Sequence, residues 1–339
     1  MSKQILFGIL NWGLGHATRS EYLIQNLLNE GHTVDIASDG AALAYLKNRF
    51  PECRFYELPS YQVVYKAKFL LFNLLLRLPV MGIAIWKEAI WVKKHLKTHH
   101  YHQIYSDNRL AFWHSKIESY YISHQLRLPL NFLGALASFV HERFYKRFTH
   151  ILIPDFSDLQ LSGKMGKVSK NLISKVSYLG LISRFSKNST HSLDGNYVLV
   201  LLSGPEPMRS LWEKELWSAA KNMPDWQFIW VRGTNTQNSL PSASNISVLE
   251  MVGSTELEVL IAGAKLVLSR CGYTSVMDLI KMRKRVLWVP TPGQPEQEYI
   301  GNRMRWQYQA KVICQKNLKL EKDLQQALDS KPIWLNWPV

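Results

Sequence analysis

The stretch from Ala264 to Glu298 constrains the fold more than any other. A short apolar run, Ala264 to Leu268, stops at the polar turn Ser269-Arg270-Cys271-Gly272-Tyr273-Thr274-Ser275. A helical segment follows as far as Arg285, a second apolar run covers Val286 to Val289, and a Pro/Gly/Gln loop opens at Pro290. Strand, turn, helix and strand in that order make a parallel pair, because a helix-length crossover returns the chain to the same edge. Thr274 or Ser275 is the expected helix cap, with Asp278 in the first turn. Both loops then leave the carboxyl ends of neighbouring strands, where open α/β sheets bind ligands. Free amides at the turn suit a phosphate. Asp278 can accept from a ribose hydroxyl, and Gln294, Gln297 and Glu298 from sugar hydroxyls. An ordinary βαβ unit with a polar loop has the same spacing, so the pattern leaves that reading open.

A similar alternation opens the chain. Gln4 to Leu10 reads as a buried strand, Asn11-Trp12-Gly13-Leu14-Gly15-His16-Ala17-Thr18-Arg19-Ser20 as a turn, Glu21 to Glu30 as an amphipathic helix, and Thr33 to Ala37 as the next strand. A dinucleotide fingerprint wants a third glycine three places after Gly15, where Thr18 stands, so only Asp39 keeps a weak NAD-dependent oxidoreductase reading. His16, beside glycines that let a substrate approach, is a candidate general base, since imidazole titrates near neutrality. A histidine packed on its own turn is the alternative. Asp107, in Ser106-Asp107-Asn108 at a strand end, is placed to orient that base or an acceptor hydroxyl, or to cap a helix. His124 and Gln125, at the end of Ser119 to His124, are further acceptor candidates.

These two stretches resemble the GT-B nucleotide-sugar glycosyltransferases, and in particular the family 28-like N-acetylglucosaminyltransferases of peptidoglycan synthesis. In that family a Ser-Arg-x-Gly turn precedes a helix whose carboxylate holds the donor ribose, and a Gln-rich loop after the next strand holds the sugar. The resemblance gives Asp278 the ribose and Gln297 and Glu298 the sugar, although the family usually has Glu at the first position and a second Gln at the last. It aligns Gly13, Gly15 and His16 with a Gly-x-Gly-His loop serving the acceptor and the departing phosphates. It also makes Ser203-Gly204 a diphosphate loop and sets Val248 to Val252, with Met251, against the base through main-chain groups. The donor set it implies is therefore Gly13, Gly15, Ser203, Gly204, Arg232, Met251, Ser269, Arg270, Gly272, Tyr273, Thr274, Ser275, Asp278, Gln294, Gln297 and Glu298.

Length fits this architecture, since 339 residues suit two α/β domains better than one. The alternation restarts at Tyr197 to Leu202, after the linker Asn188 to Gly195, so the expected domains are 1–187 for the acceptor and 188–325 for the donor. A tail, 326–339, completes the chain, and the C-terminal helix is free to return to the first domain. A formal charge of +15 invites anionic partners, and nothing resembles a nucleic-acid-binding module. Three cysteines without a C-x-x-C pair fit a reducing cytoplasm and supply neither a zinc site nor a disulfide framework. Between Lys66 and Lys97 the only carboxylate is Glu88, while leucines, phenylalanines and tryptophans interleave with the basic residues. Pro79 to Gly82 should break this run before it could span a bilayer, which leaves an anionic membrane surface or a solvated basic face.

No D-x-D pair occurs, so no metal site and no cofactor are expected beyond the nucleotide sugar as co-substrate. Arg270, Arg209 and Arg232 are the cationic candidates for the leaving diphosphate. The sequence therefore points to an inverting, metal-independent transferase moving a sugar, UDP-linked by resemblance, to an acceptor hydroxyl in the cytoplasm or on the inner membrane face. The alternatives are an epimerase of the same fold and a non-catalytic protein that binds a nucleotide sugar or anionic lipid.

Overall fold

A computed structural model describes residues 1–61, 70–127, 132–185, 195–204, 206–234 and 242–331, with the side chains of 70–78 and 132–136 also left aside. All of the linker expected at Asn188 to Gly195 except its last residue, most of the tail, and the start of the basic segment at Lys66 lie outside the described residues. The chain divides into two compact units, the first ending at Ile182 and the second beginning at Ser183.

The first unit runs β1 (Gln4–Ile9), α1 (Leu14–Asn29), β2 (Thr33–Ser38), α2 (Gly40–Arg49), β3 (Arg54–Glu57), α3 (Leu70–His95), β4 (Gln103–Asp107), β5 (Glu118–Ile122), α4 (Phe132–Tyr145), β6 (His150–Ile153) and β7 (Val176–Tyr178). Its strands form one sheet in the order β3-β2-β1-β4-β5-β6-β7, with parallel pairings throughout. The order reverses between β1 and β4, so the crevice at the carboxyl ends of those two strands is the topological switch point. Both faces of β1 are covered. Ile5, Phe7 and Ile9 pack with Ala17, Ile24 and Leu27 of α1, while Leu6 packs with Val92 of α3 and Phe112. Gly8 is required here, because a Cβ would meet the Phe112 ring at 2.4 Å.

The second unit runs β8 (Gly195–Leu201), α5 (Met208–Ala220), β9 (Gln227–Val231), β10 (Ile246–Leu249), α6 (Ser254–Gly263), β11 (Ala264–Ser269), α7 (Tyr273–Lys281), β12 (Val286–Trp288), α8 (Pro295–Tyr308) and α9 (Leu320–Asp329). Its parallel sheet has the order β10-β9-β8-β11-β12, so its own switch point falls between β8 and β11. Trp212, Trp230 and Trp288 are fully buried in this unit. The Trp217 and Trp230 rings meet edge to face at 5.3 Å, a geometry favoured by the ring quadrupoles. Leu320, Leu324 and Ala327 of α9 join the same core, so this helix packs in the second unit and does not return to the first.

Three local expectations are corrected. The opening helix begins at Leu14 rather than Glu21, because Gly13 turns the chain with φ 75° and the helix starts directly behind it. The helix after β11 begins at Tyr273 with Gly272 in extended conformation as its N-cap and no side-chain cap; Thr274 and Ser275 thus lie in the first turn and Asp278 in the second. Helix α3 continues through Pro79. An internal proline forfeits one backbone hydrogen bond and kinks the chain, a local cost that the helix's 26 residues sustain. Among the described residues no helix is long and apolar enough to cross a membrane.

Candidate active site

In the first unit the switch point collects the catalytic candidates. Ile9 and Asp107 are register partners on β1 and β4, and the Leu10 amide donates to the Asp107 carbonyl at 3.0 Å. His16 is the third residue of α1, which turns its ring back over the strand ends, and Arg19 and Ser20 follow one turn later. Asp107 is wholly buried and ends β4, with no helix following it to cap.

Four donors converge on the Asp107 carboxylate. His16 Nδ1 lies 2.7 Å from Oδ1. Arg19 Nε donates to Oδ2 at 3.1 Å, and its Nη2 makes a shorter contact with Oδ1. Ser20 Oγ donates to Oδ2 at 2.9 Å. Burial by itself would raise the Asp107 pKa, but Arg19 and then His16 outweigh it and hold the carboxyl well below the usual carboxylate range. An ionised carboxylate can only accept, so Nδ1 of His16 is the donor in this contact, with Arg19 Nη2 3.0 Å from the same nitrogen, and in the neutral ring Nε2 is the nitrogen that can accept a proton. The ring is 14% exposed and its partner 0%. The remaining Arg19 nitrogen, Nη1, donates to His124 Nδ1 at 2.8 Å, which places His124 in the same cluster. A base oriented by a buried, ionised acid can take a proton from a hydroxyl and have the resulting cation stabilised.

Sequence reasoning named His16, Asp107 and His124 but gave Arg19 and Ser20 no role. Their signal was the spacing: positions three and four after His16 lie on the same face of a helix that begins at Leu14. Asp39, which sustained the oxidoreductase reading, is buried and pairs with Arg109 and Asn11 inside the unit.

In the second unit the expected donor residues divide into two groups. Ser203 and Gly204 follow β8, and Ser269 to Ser275 follow β11, so these two turns flank that sheet's switch point. Gly204 has φ 109°, and a Cβ there would come within 4.0 Å of the Thr291 hydroxyl, bringing the end of β12 to the same edge. Gln294 caps α8, Pro295 is its first residue, and Gln297 and Glu298 lie in its first turn. The expected loop is therefore shorter, since proline and acidic residues favour a helix start. Gln297 Oε1 accepts from the Thr291 amide and Glu298 Oε1 from the Gly293 amide, each at 2.9 Å, which fixes the loop from both sides. Met251 is exposed beyond β10, where the Glu250 carbonyl accepts from Gly233 at 2.8 Å.

The three arginines expected at the diphosphate are buried and partnered inside the unit. Arg270 is 1% exposed, with its guanidinium 3.7 Å over the Trp212 ring and donating to the carbonyls of Val289 and Pro290. Burial pulls its pKa down to about 9. Arg232 pairs with Glu213 and Glu250, and Arg209 with Glu206 and Glu213. All three cations make their contacts within the unit. Backbone amides at the start of α7 are the remaining candidates, since a helix N-terminus favours an anion and the Gly272 cap brings no side chain to the turn. Asp278 is buried against the start of the unit, accepting from Ser183 Oγ at 2.5 Å and lying 3.7 Å from Arg184 Nε.

Residues 3–129 match a glycosyl transferase family 1 model, and residues 204–332 match the glycosyltransferase family 28 C-terminal domain. The chain belongs to the glycosyltransferases of the GT-B fold. Over 168 residues, 48% of the chain, it is 24% identical to the UDP-N-acetylglucosamine–N-acetylmuramyl-(pentapeptide) pyrophosphoryl-undecaprenol N-acetylglucosamine transferase of Sulfurihydrogenibium sp. (strain YO3AOP1). That match spans 47% of the relative, about half its length. Among solved structures, Arabidopsis thaliana UGT89C1 complexed with UDP superposes with a TM-score of 0.70 at 13% identity, covering 98% of this chain and 92% of that one. Acinetobacter baumannii MurG superposes with a TM-score of 0.57 at 15% identity, covering 96% and 89%. These likenesses agree with the two Rossmann-like units of this GT-B chain.

Proposed function

We propose that the protein is an inverting, metal-independent glycosyltransferase that moves a sugar from a UDP-linked donor to an acceptor hydroxyl. The observation that carries this reading is the His16–Asp107 pair, with Nδ1 committed at 2.7 Å to an ionised acid. Nε2 of His16 takes the acceptor's proton, the acceptor oxygen bonds to the anomeric carbon, and the bond to the diphosphate breaks on the opposite face. Amides of the Ser203–Gly204 turn and of the start of α7 receive the departing charge. Asp278 holds the ribose, with Ser183 orienting its carboxylate, and Gln297 and Glu298 hold the sugar. UDP is the nucleotide that the curated relative and the UGT89C1 complex carry in their names.

The test is UDP release from UDP-sugars with and without added acceptor. Release that needs the acceptor supports transfer, whereas epimerisation or simple binding would release none. Asp278→Ala should weaken stabilisation by UDP about tenfold in Kd, the effect of losing one hydrogen bond to a charged group. An unchanged UDP affinity in that variant would remove Asp278 from the donor site.

The acceptor is lipid-linked on this reading, and α3 carries the support. Ile83, Trp86 and Ile90, spaced along one face, are 55%, 63% and 45% exposed, and Lys87, Lys93, Lys94 and Lys97 lie beside or beyond them. Glu88 is buried against Arg109, so the outward face is apolar and cationic, which suits an anionic membrane surface. Trp86→Glu with Ile90→Glu should abolish co-sedimentation with phosphatidylglycerol vesicles and leave transfer to a water-soluble acceptor intact. Undiminished co-sedimentation would assign attachment elsewhere.

A further inference from the structure

The loop before β4, the loop before β5 and the C-terminal turn of α3 line an open cavity of about 540 Å³, at the amino ends of the strands and so at the end of the sheet opposite His16 and Asp107. Its charged lining is entirely basic: Lys93, Lys97 and Lys116 with His99, His100 and His114. Asp35, the acid behind this wall, is screened from it by Tyr101, whose hydroxyl donates to Asp35 at 2.7 Å. None of the three lysines has an ion-pair partner among the described residues. One wall is rigid, since Trp91, His95 and His99 stack in sequence at 4.5 Å and 4.1 Å between ring centroids. Among the described residues no group of three His, Cys, Asp or Glu side chains is poised to hold a metal ion, so the histidines are placed as hydrogen-bonding groups.

Ammonium groups that line one pocket repel one another, and a bound anion reverses the sign of that interaction while gaining charge-assisted hydrogen bonds. The volume falls in the range of small-ligand sites and exceeds what a single inorganic phosphate fills. We infer that this cavity is a second, non-catalytic site for a phosphate ester. Lys93, Lys97 and Lys116 bind the phosphate, and the imidazoles hydrogen-bond the remaining oxygens or the esterified group. The ester comes either from a free metabolite or from a phospholipid headgroup, and the two have the same chemistry at the site. The inference is independent of the sugar-transfer reading, since no cavity residue belongs to the His16 cluster or to the donor loops.

The experiment measures binding of sn-glycerol 3-phosphate by calorimetry. It also measures co-sedimentation with vesicles of phosphatidylcholine alone and of phosphatidylcholine with phosphatidylglycerol. Three proteins are compared with the parent: Lys93→Glu/Lys97→Glu, Lys116→Glu, and the control Lys214→Glu/Lys221→Glu, exposed lysines of the second unit that match the charge change of the first variant outside both the cavity and the α3 face. Thermal unfolding checks that each is folded, and Lys116→Glu tests the site from a different loop. The cavity variants should bind about tenfold or more weakly per lost contact, while the control binds like the parent. Soluble ester bound in this pattern identifies a free metabolite. Binding confined to the phosphatidylglycerol vesicles with the same pattern identifies a headgroup. Absence of binding in both arms, or an equal loss in the control, overturns the inference, the second by showing only diffuse surface charge.

Discussion

Replacing His16 with Ala should lower the rate of sugar transfer by about 10²–10⁴-fold, the contribution of a positioned general base. The fall should appear in kcat with little change in affinity for UDP, because the ring lies in the first unit and the proposed donor contacts lie in the second. Stability should move by no more than about 1 kcal/mol, since Asp107 keeps the Arg19 and Ser20 donors when the imidazole is gone. A folded His16→Ala protein with the parent kcat would sink the assignment.

Asp107→Asn separates the two jobs of the acid. The amide cannot act as an ionised acceptor for Nδ1, so the tautomer is no longer fixed and kcat should fall by about 10²-fold or more. Unlike His16→Ala, this change leaves the buried Arg19 guanidinium without its carboxylate, so stability falls as well. The sign of the pH dependence follows from the depressed pKa of Asp107. Its folded value lies below the ordinary 3.8, so its contribution is present above pH 3.8 and is lost as the pH falls below it. Acid titration of unfolding should therefore be flatter in Asp107→Asn over that window, as followed by circular dichroism.

The alternation of short buried runs and helices announced two parallel sheets, because fully buried strands read as continuous apolar stretches such as Gln4–Ile9 and Ala264–Ser269. It also placed His16 in the glycine-bearing turn after the first strand and Asp107 at a strand end. What it could not supply was side-chain direction. Arg270 has the same letters whether it faces a diphosphate or a buried indole, and only the packing of Trp212 decides that it turns inward. Asp278 likewise moved from an expected first turn to the second because Gly272, with no side chain to bond, took the cap. Gln297 and Glu298 were legible as polar residues near an edge, but their bonds back to Thr291 and Gly293 depend on a helix beginning at Pro295. Glu88 read as the one acid on a basic face and is instead the buried partner of a residue 21 positions later.

That pairing leads to the largest expected loss of stability, in Arg109→Met. Arg109 is fully buried and donates to the Ile9 carbonyl at 2.9 Å, the Pro59 carbonyl at 3.3 Å, Glu88 at 2.6 Å and Asp39. It thereby ties the ends of β1 and β2 to α3 directly behind the crevice that holds His16. Methionine fills much of the space but leaves two buried carboxylates without a cation, and removing one partner of a buried ion pair costs about 3–5 kcal/mol. Burial already raises the Glu88 pKa, and Arg109 is the main influence opposing it, so in the variant the folded carboxyl rises further. A raised folded pKa means that the native state binds more protons than the unfolded one, so the variant's stability is retained at low pH and lost as pH rises through that value. The deficit against the parent should therefore be widest at neutral pH and narrow on acidification. Adding Glu88→Gln to Arg109→Met should restore part of the loss by removing the stranded charge, which a simple packing defect would not do. Denaturant unfolding of the three proteins across pH measures both effects. A neutral-pH loss below about 1 kcal/mol, or no recovery in the double variant, would mean that the network is not held by its buried charge.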